Sequence, residues 1–339
     1  MPHAACQTRP RPRPIPEILE AAGRICLERP LDYYLVAAVT LLTSWTMNQI
    51  VRVWTIGGVP LGALEDPRAP EFLHALGHLF GAGVADGMVY ALVNSVGGAV
   101  LIMLVARRGE RRPSLTEGIV LAAPRFGPAI LSTLLFFLSM ACLIGLAGAV
   151  AGLPLVGLAG GMAAGIAGGP ILLALRLLAS LATLGAMVVF GLAILYVWLR
   201  WALYPQAVVL EGRGPLAALQ RSAALTRDDP SVPWVDRYLV RAGALTACMV
   251  LLQAVVGAFG SAPYGIGLLL SQGGDPSRTS ILNPTGMPLP MLIPSEIFSV
   301  LVRAAVFPIS VAVFVVLYED VLTHRETPMR EDAPVIGKP

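Results

Sequence analysis

The chain has 339 residues, of which 56% are hydrophobic and 13% are charged, and its formal net charge is +3. Soluble domains carry charge on roughly a quarter of their residues, so this composition excludes an ordinary soluble protein and predicts an all-α integral membrane protein. The small and scattered net charge excludes a nucleic-acid-binding surface. The four cysteines Cys6, Cys26, Cys142 and Cys248 lack metal or redox spacing, and we expect no disulfide framework.

The chain begins with a basic, proline-rich tail. Arg9 to Pro16 read RPRPRPIP, which favours an extended chain without a core, and we expect residues 1–14 to be disordered. From Ile15 onward the apolar residues recur at helical spacing, which predicts an amphipathic helix on the membrane surface. We therefore place the membrane domain at residues 15–323 and expect a second disordered tail at 324–339.

Six apolar runs are long enough to cross a bilayer, because a spanning helix needs about 20 residues. They cover residues 33–51, 85–106, 128–151, 171–199, 240–260 and 296–318. The segment from Trp54 to Val84 between the first two runs is too polar to insert and is predicted to be an external loop. Before the third run, Ser114 and Glu117 have the spacing of a capping box and predict a second surface helix.

The segment 153–170 carries no charge and has a proline near each end, Pro154 and Pro170. About fifteen helical residues extend about 22 Å, which is too short to cross a bilayer. Its glycines lie four residues apart, as in closely packed membrane helices: Gly157, Gly161, Gly165 and Gly169. Because glycine weakens helices, we favour a flexible apolar hairpin, and a segment that enters the membrane partway stays open as the alternative.

A polar stretch from Arg200 to Asp229 separates the fourth and fifth spans. Gly212 and Gly214 suit a turn, and Pro215 suits the first position of a helix. We therefore predict a third surface helix from near Leu216, with its apolar face in the lipid headgroups. Within it, Arg221 is predicted to be structural, either through an ion pair with Glu211 or through the phosphates of anionic lipids.

The same stretch carries a family resemblance. The residues concerned are Pro205, Glu211, Gly212, Pro215, Leu216, Ala218, Leu219, Arg221, Ser222, Leu225 and Thr226. This run resembles the EG-x-GPL-x-AL-x-RS-x-x-LT signature of multi-pass bacterial membrane proteins, which are similar to the membrane domain that precedes the catalytic domain in some glycerophosphodiester phosphodiesterases. Leu317 to Asp320 support the resemblance, whereas Ala223 departs from it, since the family often has an aromatic residue there. The resemblance implies a multi-pass architecture in a bacterial inner membrane.

Charge placement predicts the orientation of the chain. Five cations precede the first span, five lie between Arg107 and Arg125, six between Arg200 and Arg241, and three follow Tyr318. Only Arg52, Arg68 and Arg278 lie in segments on the other side. Cytoplasmic loops are enriched in arginine and lysine, so both termini and all three surface helices are predicted to be cytoplasmic, with each surface helix preceding a pair of spans.

Polar side chains form stripes within three of the spans. They are Thr40, Ser44, Asn48 and Arg52 on the first span, Asp86, Tyr90, Asn94 and Gly98 on the second, and Thr246, Gln253 and Gly257 on the fifth. Such stripes normally face the interior of a bundle. One interpretation is hydrogen bonding between helices. The other is an outward-facing polar cavity for a small anion, formed by Arg52, Asp86, Asn94, Gln253, Glu296 and Arg303, with Arg176 as a further cation.

A weaker candidate site is the spacing of Glu71, His74 and His78, which would project from one face of a helix toward a common metal ion. The spacing lacks the HExxH order, and two histidines in an external loop are the simpler interpretation. Because no nucleotide loop, catalytic triad or cofactor motif occurs, we predict a non-enzyme without a cofactor.

These observations predict a multi-pass membrane protein that transports or handles a small anionic or lipid-derived ligand. The alternative is a scaffold or accessory subunit without a ligand, and a metal-dependent membrane enzyme using the Glu71, His74 and His78 spacing is the third hypothesis. Membrane lipids are the expected partners, and both homo-oligomers and hetero-oligomers stay open.

Overall fold

The computed structural model describes residues 12–56, 70–109, 113–163, 170–227, 233–270 and 289–326. Within these ranges the chain is helical and has no β-strand. The helices are α1 (Ile15–Glu28), α2 (Pro30–Ile56), α3 (Pro70–Ala106), α4 (Leu115–Ala122), α5 (Phe126–Ala163), α6 (Pro170–Trp201), α7 (Tyr204–Glu211), α8 (Pro215–Leu225), α9 (Tyr238–Gly260), α10 (Ala262–Leu270), α11 (Leu289–Ala304) and α12 (Phe307–Glu326). Short 3₁₀ turns follow α3 and α4 and precede α9.

Six segments of the described chain are long and apolar enough to span a membrane, so the predicted class of a multi-pass, all-α membrane protein is confirmed. They are Pro30–Trp54, Gly81–Ala106, Leu115–Val150, Leu177–Glu211, Tyr238–Ile266 and Pro290–His324. Each overlaps one of the six runs predicted from the sequence.

The spans pack as an antiparallel bundle. Helix α2 lies between α3 and α11, α3 also contacts α5 and α12, and α9 packs against α11. Helices α5 and α6 form a pair whose second member is largely exposed. The best-buried side chains gather near one end of the bundle and include Leu101, Leu203, Leu245, Val313 and Tyr318. Because lipid tails are as apolar as these side chains, their contribution to stability comes from close packing between the helices.

This well-packed end carries the three predicted surface helices, α1, α4 and α8, and we name it the arginine-rich end. In α1, Ile18, Ala22 and Ile25 form the buried face, and the helix packs mainly against α12. The capping box of α4 is confirmed, because the Ser114 hydroxyl accepts from the Glu117 amide and the Glu117 carboxylate accepts from the Ser114 amide. The opposite end of the bundle carries the end of α2 and the start of α3.

A further helix, α7, was not predicted. The chain breaks at Ala202 and Leu203 after the fourth span and resumes with Pro205 in the first turn of α7. Proline cannot continue a helix but suits its first turn, so the break and the new helix share one cause. Ala207, Val208 and Val209 are almost fully buried, so α7 belongs to the core of the arginine-rich end.

The expectation of a flexible hairpin across 153–170 is wrong for its first half. Helix α5 continues through Ala163 and is 38 residues long, and α6 begins at Pro170. A helix of that length extends about 57 Å, well beyond a hydrocarbon core of about 30 Å. Residues 164–169, between the two helices, lie outside the described residues.

The prediction of a loop from Trp54 to Val84 also needs correction. Helix α3 begins at Pro70, so the polar residues before the second span continue the spanning helix beyond the membrane. A helix can extend past the bilayer because its backbone hydrogen bonds are internal, and the polarity of a segment therefore does not exclude helix. The predicted tails lie mainly outside the described residues, although residues 12–14 precede α1 and α12 reaches Glu326.

The sixth span is broken rather than continuous. Helix α11 ends at Ala304 and α12 begins at Phe307, with Ala305 and Val306 in a turn. Pro308 explains the break, because its ring clashes with the carbonyl of the fourth residue before it and its nitrogen carries no proton. The break lies eleven residues before Tyr318, or about 17 Å along α12. It is therefore inside the membrane-spanning segment.

Candidate functional site

The polar stripes of the first two spans face each other. Arg52 Nε donates to Asp86 Oδ2 at 2.5 Å, toward the opposite end of the bundle. Three turns deeper, the side chain of Thr40 occupies the space that a Cβ on Gly97 would need. These two contacts fix the antiparallel register of α2 and α3, which places Ser44 at the level of Asn94. We name Ser44, Asn48, Asp86 and Asn94 the α2–α3 ladder.

The α2–α3 ladder contains four buried oxygen atoms that receive no hydrogen bond from the described residues. They are Ser44 Oγ, Asn48 Oδ1, Asp86 Oδ1 and Asn94 Oδ1. The Ser44 residue is only 1% exposed, and the Asn94 amide nitrogen is already used, since it donates to the Tyr90 carbonyl at 2.6 Å. Buried polar atoms are normally satisfied, so this concentration is unusual.

Glu296 on α11 lies against a neighbouring face of α2. Its Oε2 atom accepts from Trp45 Nε1 at 3.0 Å and from Gln49 Nε2 at 2.8 Å. Trp45 and Gln49 were absent from the predicted set because they lie beside the four-residue stripe rather than on it. Their spacing from each other, four residues, is the signal that could have identified a second polar face of α2.

Arg303 lies in the last turn of α11, directly before the break in the sixth span. Its side chain is exposed and forms no ion pair with another described residue. A Cβ on Gly257 of α9 would come 3.9 Å from its Nε atom. Arg303 therefore lies where α11 packs against α9.

The remaining predicted positions do not join this group. Gln253 is exposed on α9, one turn before Gly257. Arg176 is helical, but its side chain lies outside the described set, as do those of Glu71 and His74. His78 is exposed in the part of α3 that precedes the span. Within the described chain, no three His, Cys, Asp or Glu side chains cluster as metal ligands.

The signature residues Ser222 and Thr226 anchor α8 to the end of the fourth span. Both hydroxyls donate to the Arg200 carbonyl, at 3.0 and 3.1 Å. Ser222 Oγ also accepts from the Leu203 amide at 3.2 Å. The last carbonyls of a helix lack partners within the helix, so these two hydroxyls satisfy a group that the break before α7 exposes.

Glu211 is the centre of a second set of contacts at the arginine-rich end. Its carboxylate accepts from Arg221 Nε at 3.0 Å, from Arg213 Nε and from the Tyr318 hydroxyl. The ion pair with Arg221 that the sequence suggested is thus present, within a larger network. The following residue, Gly212, has φ +69°, a backbone conformation that favours glycine, and the Arg125 guanidinium packs against it.

Helix α12 connects this network to the rest of the bundle. Tyr318 contacts Glu211, Glu319 Oε2 accepts from Arg108 at 3.0 Å, and Asp320 Oδ2 accepts from Arg241 at 2.6 Å. Arg241 and Asp320 are buried, with side chains 6% and 3% exposed. In the sequence, Tyr318 to Asp320 stand out only as part of the family resemblance. A single sequence does not indicate which distant side chains they bind.

The backbone before α1 joins the same buried pair. The Arg13 amide donates to Asp320 Oδ1 at 3.2 Å, and the Arg13 carbonyl accepts from Arg241 at 2.7 Å. Near the other end of α1, burial raises the pKa of the Cys26 thiol to about 11. Cys26, Cys142 and Cys248 are free thiols.

Comparison of the chain with models of known protein families, with curated proteins and with solved structures gives no match.

Proposed function

We propose that this membrane protein binds a small anionic ligand of phosphate type beside Arg303, reached from the opposite end of the bundle. The observation that carries the proposal is an arginine inside a spanning segment, without a carboxylate among the described residues to neutralise it. Ionisable groups in spans are costly and normally serve a ligand or ion path. Discontinuous membrane helices also characterise substrate sites in transporters.

The surroundings of Arg303 support an anion rather than a cation at this position. Arg52 is neutralised by Asp86, and Glu296 is held by two N–H donors on α2, so neither carboxylate reaches the Arg303 guanidinium. The Arg303 guanidinium lies beside Gly257 of α9, where a Cβ would be in ordinary van der Waals contact with it. A phosphate group matches the planar set of donors on a guanidinium.

We also propose that the arginine-rich end is cytoplasmic, in a bacterial inner membrane, and that the chain is related to the phosphodiesterase membrane-domain family. The excess of arginines at one end supports the orientation. The packing of Glu211, Ser222, Thr226 and Tyr318 supports the relationship, since these residues of the signature all have structural partners.

Thermal unfolding of the full chain, followed by tryptophan fluorescence in detergent, tests the ligand proposal. Inorganic phosphate and acetate are added as choline salts at constant ionic strength, and phosphatidylglycerol nanodiscs are compared with phosphatidylcholine nanodiscs. A ligand that binds only the folded state raises Tm with the logarithm of its concentration. A rise with phosphate in detergent indicates a free anion, and a rise confined to phosphatidylglycerol indicates a lipid headgroup.

Arg303→Gln is expected to abolish the anion-dependent rise, and Arg303→Lys to retain part of it, because lysine keeps the charge but not the planar donor set. The matched control is Arg24→Gln, since Arg24 is an exposed arginine on α1. An unchanged Tm with every anion and lipid in the parent chain contradicts the proposal and favours a scaffold without a ligand.

A further inference from the structure

We infer that the α2–α3 ladder holds a monovalent cation such as Na⁺. Ser44 and Asn48 lie one turn apart on α2, and the register of the two helices brings Asn94 to the level of Ser44. Each supplies a buried oxygen without a donor, and Ser44 is almost fully buried. Asp86 Oδ1 is a fourth such oxygen, but Asp86 lies about 12 Å along α3 from Asn94 and is not a ligand of the same ion.

The chemistry of these ligands selects the ion. All three ligands are oxygen atoms, which hard cations prefer over nitrogen or sulfur. All three are neutral, and the one carboxylate of the ladder, Asp86, is paired with Arg52. Divalent calcium sites use several carboxylates, so a site of neutral oxygens suits an ion of charge +1.

The charges of the neighbouring side chains couple this cation to the anion. The formal charges of Arg52, Arg303, Asp86 and Glu296 add up to zero, although Arg303 contacts neither carboxylate, so an anion alone or a cation alone leaves one net charge within the span. Uncompensated charge in a low-dielectric environment is costly. Occupancy of both sites restores neutrality, and each ion is therefore expected to strengthen binding of the other. This coupling rests on the proposed function, whereas cation binding itself is measured without an anion ligand.

The test compares the Tm of the full chain in sodium chloride and in choline chloride at equal ionic strength. In the parent chain, Tm is expected to rise with the logarithm of the sodium concentration. Asn94→Leu removes one ligand at similar side-chain volume and is expected to weaken the apparent sodium affinity about tenfold. Ser44→Ala removes the hydroxyl ligand at the level of Asn94 and changes the side chain less. It serves as the test if Asn94→Leu fails to fold.

Thr46→Val is the matched control, because the Thr46 hydroxyl lies on an exposed face of α2 and bonds only within its own helix. Equal Tm values in sodium chloride and choline chloride overturn the inference and indicate that water binds the oxygens of the α2–α3 ladder. A sodium effect that survives both ladder variants also overturns it, since the cation then lies elsewhere. Sodium stabilisation without any response to anions rejects only the proposed function. If anions stabilise the chain and sodium does not, the ladder inference alone fails.

Discussion

At the scale of single residues, the Arg241 and Asp320 pair is the best-buried ion pair among the described residues. Asp320 also accepts from the Arg13 amide, and Arg241 donates to the Arg13 carbonyl, so the charges are extensively hydrogen-bonded. The Arg241 Nε atom alone has no acceptor among the described residues. A buried pair of this kind stabilises the fold little relative to apolar residues, but loss of one member is costly.

We predict that Arg241→Met lowers the free energy of unfolding by about 3 to 5 kcal/mol, because it leaves the Asp320 carboxylate buried without a cation. Denaturant titration in mixed micelles measures this change. The double variant Arg241→Met, Asp320→Leu is expected to recover most of the loss. Arg24→Met, which removes an exposed pair with Glu20, should change the free energy by less than about 1 kcal/mol. Equal losses in the single and double variants would show that packing, rather than charge, determines the effect.

At the scale of helices, the contact between α2 and α3 depends on one glycine. A Cβ on Gly97 would collide with the side chain of Thr40, whereas one on the neighbouring Gly98 would meet nothing within 4 Å. The close approach at Gly97 fixes the register that aligns the ladder. Small residues at helix contacts have this role in membrane proteins generally.

We predict that Gly97→Ala destabilises the protein by about 1 to 3 kcal/mol, the usual range for overpacking a close contact. It should also abolish the sodium response. Gly98→Ala is expected to be neutral or slightly stabilising, because alanine favours helix by up to about 1 kcal/mol over glycine. Thermal unfolding of both variants measures the difference. Similar behaviour of the two would contradict the assigned register.

The helical elements could be predicted where one property decides their formation. Apolar length identified the spans, and the Ser114 capping box identified α4. The break at Pro308 was missed because proline within an apolar run is compatible with a kink, a break or a helix start. Helix α7 was missed because Pro205 follows the fourth span directly, so that the boundary of one helix concealed the beginning of the next.

The site was predictable only in part, for a related reason. Helical spacing grouped Ser44 with Asn48 and Asp86 with Asn94 within each helix. The relative rotation of the helices, however, depends on packing along their full length. A single sequence therefore could not indicate that Glu296 meets Trp45 and Gln49, or that Gln253 is exposed.

At the scale of the whole molecule, the arginine-rich end predicts the orientation in the membrane. In right-side-out vesicles, a cysteine introduced at Gln220 on α8 should react with a membrane-impermeant maleimide only after permeabilisation. One at Ser261, after α9, should react from outside. Gln220 and Ser261 are both exposed. The native Cys26 is expected to react slowly with the maleimide, because its raised pKa leaves little thiolate at neutral pH. Labelling of Gln220→Cys from outside would contradict the orientation.

The contacts of α12 have a consequence for biogenesis. A ribosome makes the chain from its N-terminus, and earlier segments begin to fold first. Arg108, Glu211 and Arg241 are therefore synthesised long before Glu319, Tyr318 and Asp320, their partners on α12. Until α12 is inserted, these contacts at the arginine-rich end cannot form. Insertion of α12 thus locks the earlier helices together, and nascent chains halted before residue 307 would expose the same charged groups to quality-control proteases.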